Sequence, residues 1–257
     1  CARVTGVQTC ALPIYKKAVT PVSPEVRDAW FKWQLTPPVP TSWELPEEAR
    51  EDFEDAIMLL LLTGEDASEY ADYLNDCLEE FLGESQVKGD FYHDIEQYAQ
   101  KVVRERRALA ERLGVTGDSG NLAAAFADLE AHGVLARGKF ACCGTCASAE
   151  IWEEREGSDR WKGYIYYHQQ DAENLAESGS TYIGFGSFEA YPSDEEAWKK
   201  LSDEQRAAVT RKHEELSLAL MLDTVIPTLE RYGVKVTWNG SYDTRPRLDN
   251  VEVYEIP

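Results

Sequence analysis

The stretch Val134-Leu-Ala-Arg-Gly-Lys-Phe140 marks the point at which the chain changes from helical to β-type sequence. Before it, apolar residues recur every three or four positions, which is the period of an amphipathic helix. After it, Gly163–His168 and Thr181–Phe188 are rich in β-branched and aromatic residues, which favour strands. Few crossover helices separate these strands. We therefore expect an α+β fold: N-terminal helices and a mostly antiparallel sheet of about four or five strands, covered by a long kinked helix.

The boundaries of these regions follow from turn and capping residues. Gly64 is predicted to end a helix that begins near Pro46, and a later helix runs over about Phe91–Leu113 with Arg106 on its solvated face. Pro227 should kink the long helix, and Val251–Ile256 should form the last strand. We predict a Pro- and Trp-rich arm over residues 15–45, a helical region over 46–114 and an α+β domain over 121–257.

The charge balance limits the classes of partner. The chain has 26 basic and 47 acidic residues, a net charge of −21. This field repels phosphate backbones and anionic lipid, so we expect no nucleic-acid and no membrane partner. A basic protein is the partner class that the charge permits. With 43% hydrophobic residues and no apolar run of about 20, the chain is expected to be soluble.

The first residues are set apart from the rest. Residues 4–14 resemble the translation of a high-throughput sequencing adaptor, so we assign residues 1–14 to an artefact and discount Cys1 and Cys10. Four cysteines remain, and three of them crowd into five positions. Such spacing is a poor disulfide framework and is typical of a reducing compartment, so a cytoplasmic location is expected.

The most informative local pattern is Cys142-Cys-Gly-Thr-Cys146, which follows the first predicted strand. Three interpretations are open. Cys143 and Cys146 have the C-x-x-C spacing of a redox pair, whose first thiol is acidified at a helix N-terminus. Alternatively, the three thiols bind zinc with His168 as the fourth ligand, since Zn²⁺ prefers four N/S ligands. In the third interpretation the thiols are reduced and structural.

The end of the second predicted strand, His168-Gln-Gln-Asp171, is a second candidate. His168 has the chemistry of a general base oriented by Asp171. The structural alternatives are a helix N-cap for Asp171 and a hydrogen-bonded rim position for His168. In a third candidate, Asp243 and Arg245 follow an Asn-Gly turn and form either a ligand contact or a surface ion pair. His213 falls on a predicted helix and is assigned no role. The sequence has no phosphate-binding Gly-rich loop, nucleophile elbow or HExxH motif.

Taken together, several of these patterns resemble a bacterial family known as a domain of unknown function. The resemblance rests on the helix–strand segment Leu122–Arg137, on Phe-x-Cys-Cys-x-Thr-Cys (Phe140–Cys146) and on Gly-Tyr-x-x-Tyr-His-x-Gln-Asp (Gly163–Asp171), and it covers most of 47–247. It implies no activity, cofactor or partner. The positions that it marks are Cys142, Cys143, Cys146, His168 and Asp171.

Two hypotheses of different class follow. In the first, the protein carries a Cys/His metal or thiol site at a sheet edge, with zinc as the metal and Cys142, Cys143, Cys146 and His168 as ligands. In the second, it is an acidic regulatory or inhibitory protein without catalysis that binds a basic partner. A hydrolase or transferase that uses His168 and Asp171 is a third hypothesis. Convergence of the three sulfurs on the imidazole would favour the first.

Overall fold

The computed structural model describes residues 22–82, 89–155, 160–192 and 195–257. The adaptor-like segment 1–14, with Cys1 and Cys10, and the first residues of the predicted arm lie outside these ranges. The ten described helices are α1 (Pro24–Phe31), α2 (Glu47–Thr63), α3 (Ala67–Leu82), α4 (Gly89–Leu113), α5 (Asn121–Ala131), α6 (Gly144–Glu150), α7 (Gln169–Ser178), α8 (Glu195–Lys199), α9 (Asp203–Leu220) and α10 (Ile226–Arg231). None of the helices in these ranges is long and apolar enough to cross a membrane.

The described strands form two small sheets. The six strands are β1 (Val134–Arg137), β2 (Gly163–Tyr166), β3 (Thr181–Tyr182), β4 (Gly184–Ser187), β5 (Lys235–Thr237) and β6 (Arg247–Asp249). One sheet has the order β1-β2-β4 and the other β3-β6-β5. The pair β1–β2 is parallel, whereas the other pairs are antiparallel. The predicted α+β class and the mostly antiparallel pairing are confirmed.

The prediction of one sheet of four or five strands is wrong, because the single run Thr181–Phe188 contributes to both sheets. The chain bends at Ile183, whose N–H donates to the Pro246 carbonyl 3.0 Å away. Thr181 pairs with Leu248 in one sheet, and Gly184 pairs with Tyr166 in the other. A run of β-type residues does not reveal such a change of sheet.

Helix α9 lies against the β1-β2-β4 sheet. The Ser187 N–H on β4 donates to Ser217 Oγ at 2.9 Å, and a Cβ on Gly163 would lie 2.5 Å from a methyl carbon of Leu220. After α9 the chain continues through a π-helical turn, Met221–Val225, into α10. Since Pro227 has no N–H to donate to the preceding turn, it disrupts α-helical hydrogen bonding here. A π-helical turn therefore lies where the sequence predicts a kink in the long helix.

The helical region and the arm share one hydrophobic cluster, in which Phe53, Ile57, Leu74 and Ile95 are buried together with Val39 of the arm. At one end of α4, however, the prediction that Arg106 faces solvent is wrong. Arg106 is fully buried, and its guanidinium lies 3.5 Å from the centre of the Trp30 ring. Burial lowers the pKa of Arg106 to about 10. Because the long Arg side chain can bury its stem and stack its planar group, charge alone did not indicate its position.

The C-terminal segment packs on the body of the protein without forming a strand, so the predicted strand over Val251–Ile256 is also wrong. Tyr254 is fully buried and its ring centre lies 5.8 Å from that of Trp30. The Glu252 N–H donates to the Asn121 side chain at 2.8 Å. The apolar residues that favoured a strand, Val251 and Tyr254 among them, are instead buried through side-chain packing.

Candidate metal centre and aromatic cleft

The cysteine turn lies beside the end of β2, because β1 and β2 are parallel and adjacent. The Phe140 N–H donates to the Tyr167 carbonyl at 2.9 Å, and the Gln169 N–H donates to the Ala141 carbonyl at 3.1 Å. Between these two bonds Ala141 adopts a positive φ of 56°, which turns the chain towards α6. Parallel strands end at the same sheet edge, so the pairing itself brings the cysteine turn next to His168.

The structure brings the three cysteines of the turn together. The sulfurs of Cys142, Cys143 and Cys146 all lie within 4.8 Å of one another, and those of Cys142 and Cys146 are 3.5 Å apart. Cys142 is exposed, whereas the other two are half-buried, and none of the three forms a disulfide. The turn is therefore a preformed group of three soft donors that solvent can reach.

Cys143 and Cys146 differ in acidity. The backbone N–H groups of Cys146 and Thr145 lower the pKa of the Cys143 thiol, because they donate to the sulfur and favour the thiolate. The neighbouring sulfurs of Cys142 and Cys143 raise the pKa of Cys146 to about 11. The turn therefore favours the thiolate more at Cys143 than at Cys146.

His168 and Asp171 form a second polar cluster, which is buried. His168 is the N-cap of α7: its Nδ1 accepts from the Asp171 N–H at 3.2 Å, and the Asp171 carboxylate accepts from the His168 N–H at 3.2 Å. Arg245 donates two hydrogen bonds to the Asp171 carboxylate and one to the Tyr182 carbonyl. The loop that carries Asp243 and Arg245 therefore contacts the His168–Asp171 segment. The N-cap of α7 is His168 and not Asp171, the residue that the sequence indicated.

The two clusters are neighbours, but the metal-donor atoms do not form one group. A Cβ on Gly144 would lie 3.7 Å from His168 Nε2, so the backbone of the cysteine turn passes over the imidazole. Nε2 itself is 3.1 Å from an Asp171 carboxylate oxygen and 3.3 Å from Arg245 Nη1. Among the described residues, the group of donor atoms within 4.8 Å of one another consists of the three sulfurs without His168. Burial lowers the pKa of His168, and Arg245 acts in the same direction.

An aromatic cleft of about 1410 Å³ opens beside the cysteine turn, which forms part of its rim. Its aromatic lining consists of Trp152, Tyr164, Tyr166, Phe185, Tyr191, Trp198 and Tyr242. Tyr164 and Tyr166 lie nearly parallel, with ring centres 6.1 Å apart. Their rings lie across Gly184 and Gly186, where an added Cβ would lie 2.5 Å from the Tyr166 ring and 2.4 Å from the Tyr164 hydroxyl. The two glycines of β4 therefore make room for this tyrosine surface.

His213 contributes to the same cleft from α9. Its Nε2 is 2.9 Å from the Tyr242 hydroxyl, and its ring centre is 4.9 Å from that of Tyr191. Only 4% of His213 is exposed, and burial lowers its pKa. A histidine with a lowered pKa is neutral at pH 7.

A family model described as Domain of unknown function (DUF6891) matches residues 46–253. The chain belongs to this family. The predicted relation to a domain of unknown function is therefore confirmed. Searches of curated proteins and of solved structures find no match to this DUF6891 domain.

Sequence reasoning located part of this site. It singled out the three cysteines, His168, Asp171 and the loop that carries Arg245. It missed His213 and the aromatic cleft, whose lining comes from β2, β4, the helices α6, α7, α8 and α9, and the connecting loops. Gly-Phe-Gly at 184–186, opposite the tyrosines of β2, was the signal that a flat ring surface is built here, since glycine in a strand marks a close approach.

Proposed function

We propose that this DUF6891 domain binds zinc through Cys142, Cys143 and Cys146. The observation that carries the proposal is the mutual approach of the three sulfurs within 4.8 Å. Tetrahedral zinc with Zn–S bonds of about 2.3 Å needs sulfurs about 3.8 Å apart. Small side-chain rotations in an exposed turn bring thiols from the observed separations to that distance.

The surroundings favour a metal with an open coordination position. Three protein ligands with a fourth position left for water or substrate are the arrangement of catalytic zinc sites, whereas structural sites use four protein ligands. The cysteine turn lines the aromatic cleft, where a ligand would meet such a position. Because zinc binds thiolates, the site requires reduced cysteines, and we propose a cytoplasmic location for the same reason.

The assignment of His168 as fourth ligand stays a prediction. Its Nε2 would have to give up Asp171 and Arg245 for the metal. The ring proton would then sit on Nδ1, which would lose its bond from the Asp171 N–H. Cobalt substitution tests this point, since the visible bands of Co²⁺ depend on its ligands. If His168 is a ligand, His168→Gln shifts these bands. Unchanged bands assign the fourth position to solvent.

Metal analysis tests the proposal itself. The protein is purified without a metal-affinity tag, and its zinc content is measured by inductively coupled plasma mass spectrometry. We expect about one zinc ion per chain, and a loss of most of it in Cys142→Ser, Cys143→Ser and Cys146→Ser. Cys77→Ser on α3 is the matched control and retains the metal. A wild-type protein that takes up no zinc, even when reduced and supplied with it, contradicts the proposal.

A thiol redox pair is the second candidate function, because Cys143-Gly-Thr-Cys146 has the required spacing and its sulfurs are close. Mass spectrometry after alkylation, with and without glutathione disulfide, separates the two. A reversible loss of two free thiols at Cys143 and Cys146, in a protein that binds no zinc, would favour the redox function.

A further inference from the structure

We propose that the aromatic cleft binds a small organic cation that carries an alkylated ammonium group. The inference rests on the rings and charges of the cleft and not on the metal proposed above. The cleft lies beside β2, β4 and α9, which pair with or bond to one another and carry Tyr164, Tyr166, Phe185 and His213 of its lining.

The walls of the cleft present electron-rich rings at several orientations. Trp152 packs edge to face against Tyr191, with ring centres 5.6 Å apart, and against Tyr164 at 6.3 Å. Tyr242 packs on the His213 ring at 5.7 Å. Faces of Trp and Tyr rings attract ammonium groups, and clusters of such rings are the usual receptor for quaternary ammonium ligands.

The phenol groups at the floor are tied to neighbouring side chains. The Tyr166 hydroxyl lies 2.9 Å from Ser148 Oγ, and the Tyr242 hydroxyl lies 2.9 Å from His213 Nε2. These contacts fix the orientation of the rings before a ligand enters. A preformed set of ring faces costs a ligand little ordering entropy, which favours binding.

The charges in the cleft also favour a cation. Among the described residues that line the cleft, the cationic side chain is Arg245. The buried Asp171 carboxylate already neutralises the charge of Arg245. Asp243, which also lines the cleft, forms no ion pair with the residues that the structure describes. The net charge of −21 adds negative potential. Within the described part of the lining, an anionic ligand would find no unpaired cationic side chain.

A matched pair of ligands tests the proposal by isothermal titration calorimetry. Choline and 3,3-dimethylbutan-1-ol have the same shape, but only choline is charged. We expect choline to bind at least about tenfold more tightly, as cation–π contacts at a desolvated site predict. Equal affinity for the two compounds, or no detectable binding of either at millimolar concentration, overturns the proposal.

Variants locate the site. Tyr191→Leu should weaken choline binding by about tenfold, whereas Tyr92→Leu on the exposed face of α4 should leave it unchanged. Asp243→Asn removes a carboxylate at an exposed position and should narrow the preference for choline over its neutral isostere, without effect on folding. An unchanged preference in Asp243→Asn, together with unchanged affinity in Tyr191→Leu, contradicts the assignment to this cleft.

A final comparison separates this inference from the metal site. Choline affinity is measured before and after removal of zinc with a chelator, and in Cys142→Ser. We expect the same affinity in each case, because the rings do not depend on the metal. If choline binding is lost when zinc is removed, the cation site belongs to the metal centre and the inference is wrong.

Discussion

The two polar clusters at the ends of β1 and β2 are neighbours with opposite character. In the cluster of His168, Asp171 and Arg245, the fold itself supplies partners to the charged groups, and His168 and Asp171 are buried. In the cysteine turn the three sulfurs lie within 4.8 Å of one another, and Cys142 is exposed. Both clusters come from short motifs that look equally functional in the sequence.

The comparison distinguishes polar groups that the fold needs from those that it leaves available. A buried carboxylate whose hydrogen bonds are satisfied within the protein stabilises the fold and has little capacity for a ligand. Donor atoms that lie close together with solvent access keep that capacity. We therefore interpret His168, Asp171 and Arg245 as the support of the site, and the cysteines as the part that binds.

Removal of Asp171 should have the largest effect on folding. In Asp171→Ala, Arg245 loses its carboxylate and the cap of α7 loses one of its two bonds. We expect a loss of about 2–4 kcal/mol in the free energy of unfolding, a range below that of fully buried pairs because part of Arg245 reaches solvent. Urea denaturation followed by circular dichroism measures it.

Asp28→Ala is the control for this prediction. Asp28 pairs with Lys32 at 2.8 Å on the surface of α1, and such an exposed, solvent-screened pair is expected to contribute little to stability. A loss in Asp171→Ala no larger than that in Asp28→Ala would mean that the buried cluster does not support the fold.

Substitution at Gly184 should separate the aromatic cleft from the cysteine turn. In Gly184→Ala the new Cβ meets the Tyr166 ring, which must tilt, and we expect a loss of about 1–3 kcal/mol from this overpacking. Zinc content should not change, because the turn is attached to β2 through backbone bonds of Phe140 and Gln169. Gly117→Ala, with no neighbour within 4 Å of the added Cβ, is the matched control. If Gly184→Ala loses zinc, the turn depends on the ring surface.

The elements of the fold could be predicted because local signals agree with the structure. Gly64 ends α2 with a φ of 67°, and apolar periodicity placed Phe53 and Ile57 in the core. What the sequence did not show was which strands share a sheet. That choice depends on the bend at Ile183 and on contacts between distant segments, such as Tyr254 with Trp30.

The candidate site, like the fold, could be predicted only where its residues are close in the chain. The cysteines are close in the chain, so their approach follows from one turn and one helix. Arg245 lies 74 residues from Asp171, and His213 lies 29 residues from Tyr242, so only the tertiary structure brings these pairs together. Residues whose role depends on such long-range contacts leave no local pattern.

The pH dependence of stability should report on the buried histidines. Burial lowers the pKa values of His213 and His168 in the folded protein below the ordinary value of 6.5. The unfolded chain therefore binds more protons as the pH falls, and stability should decrease from pH of about 7.5 to about 5.5. This decrease in stability with falling pH should be smaller in His213→Gln, which lacks the buried imidazole. Thermal melts across this range measure it, and an unchanged slope in His213→Gln would contradict a buried neutral imidazole at the floor of the cleft.

Loss of one thiol should have the smallest effect on the metal-free protein and a clear one once zinc is present. Cys142 is exposed, so Cys142→Ser in chelator should change the free energy of unfolding by less than about 0.5 kcal/mol. Zinc at a hundredfold excess over its dissociation constant should then stabilise the wild-type protein by about 2.7 kcal/mol, and the variant by much less. Chemical denaturation with and without zinc gives all four values. Since Asp171→Ala lowers stability whether or not metal is present, whereas Cys142→Ser does so only with metal, the two variants assign folding to one cluster and binding to the other.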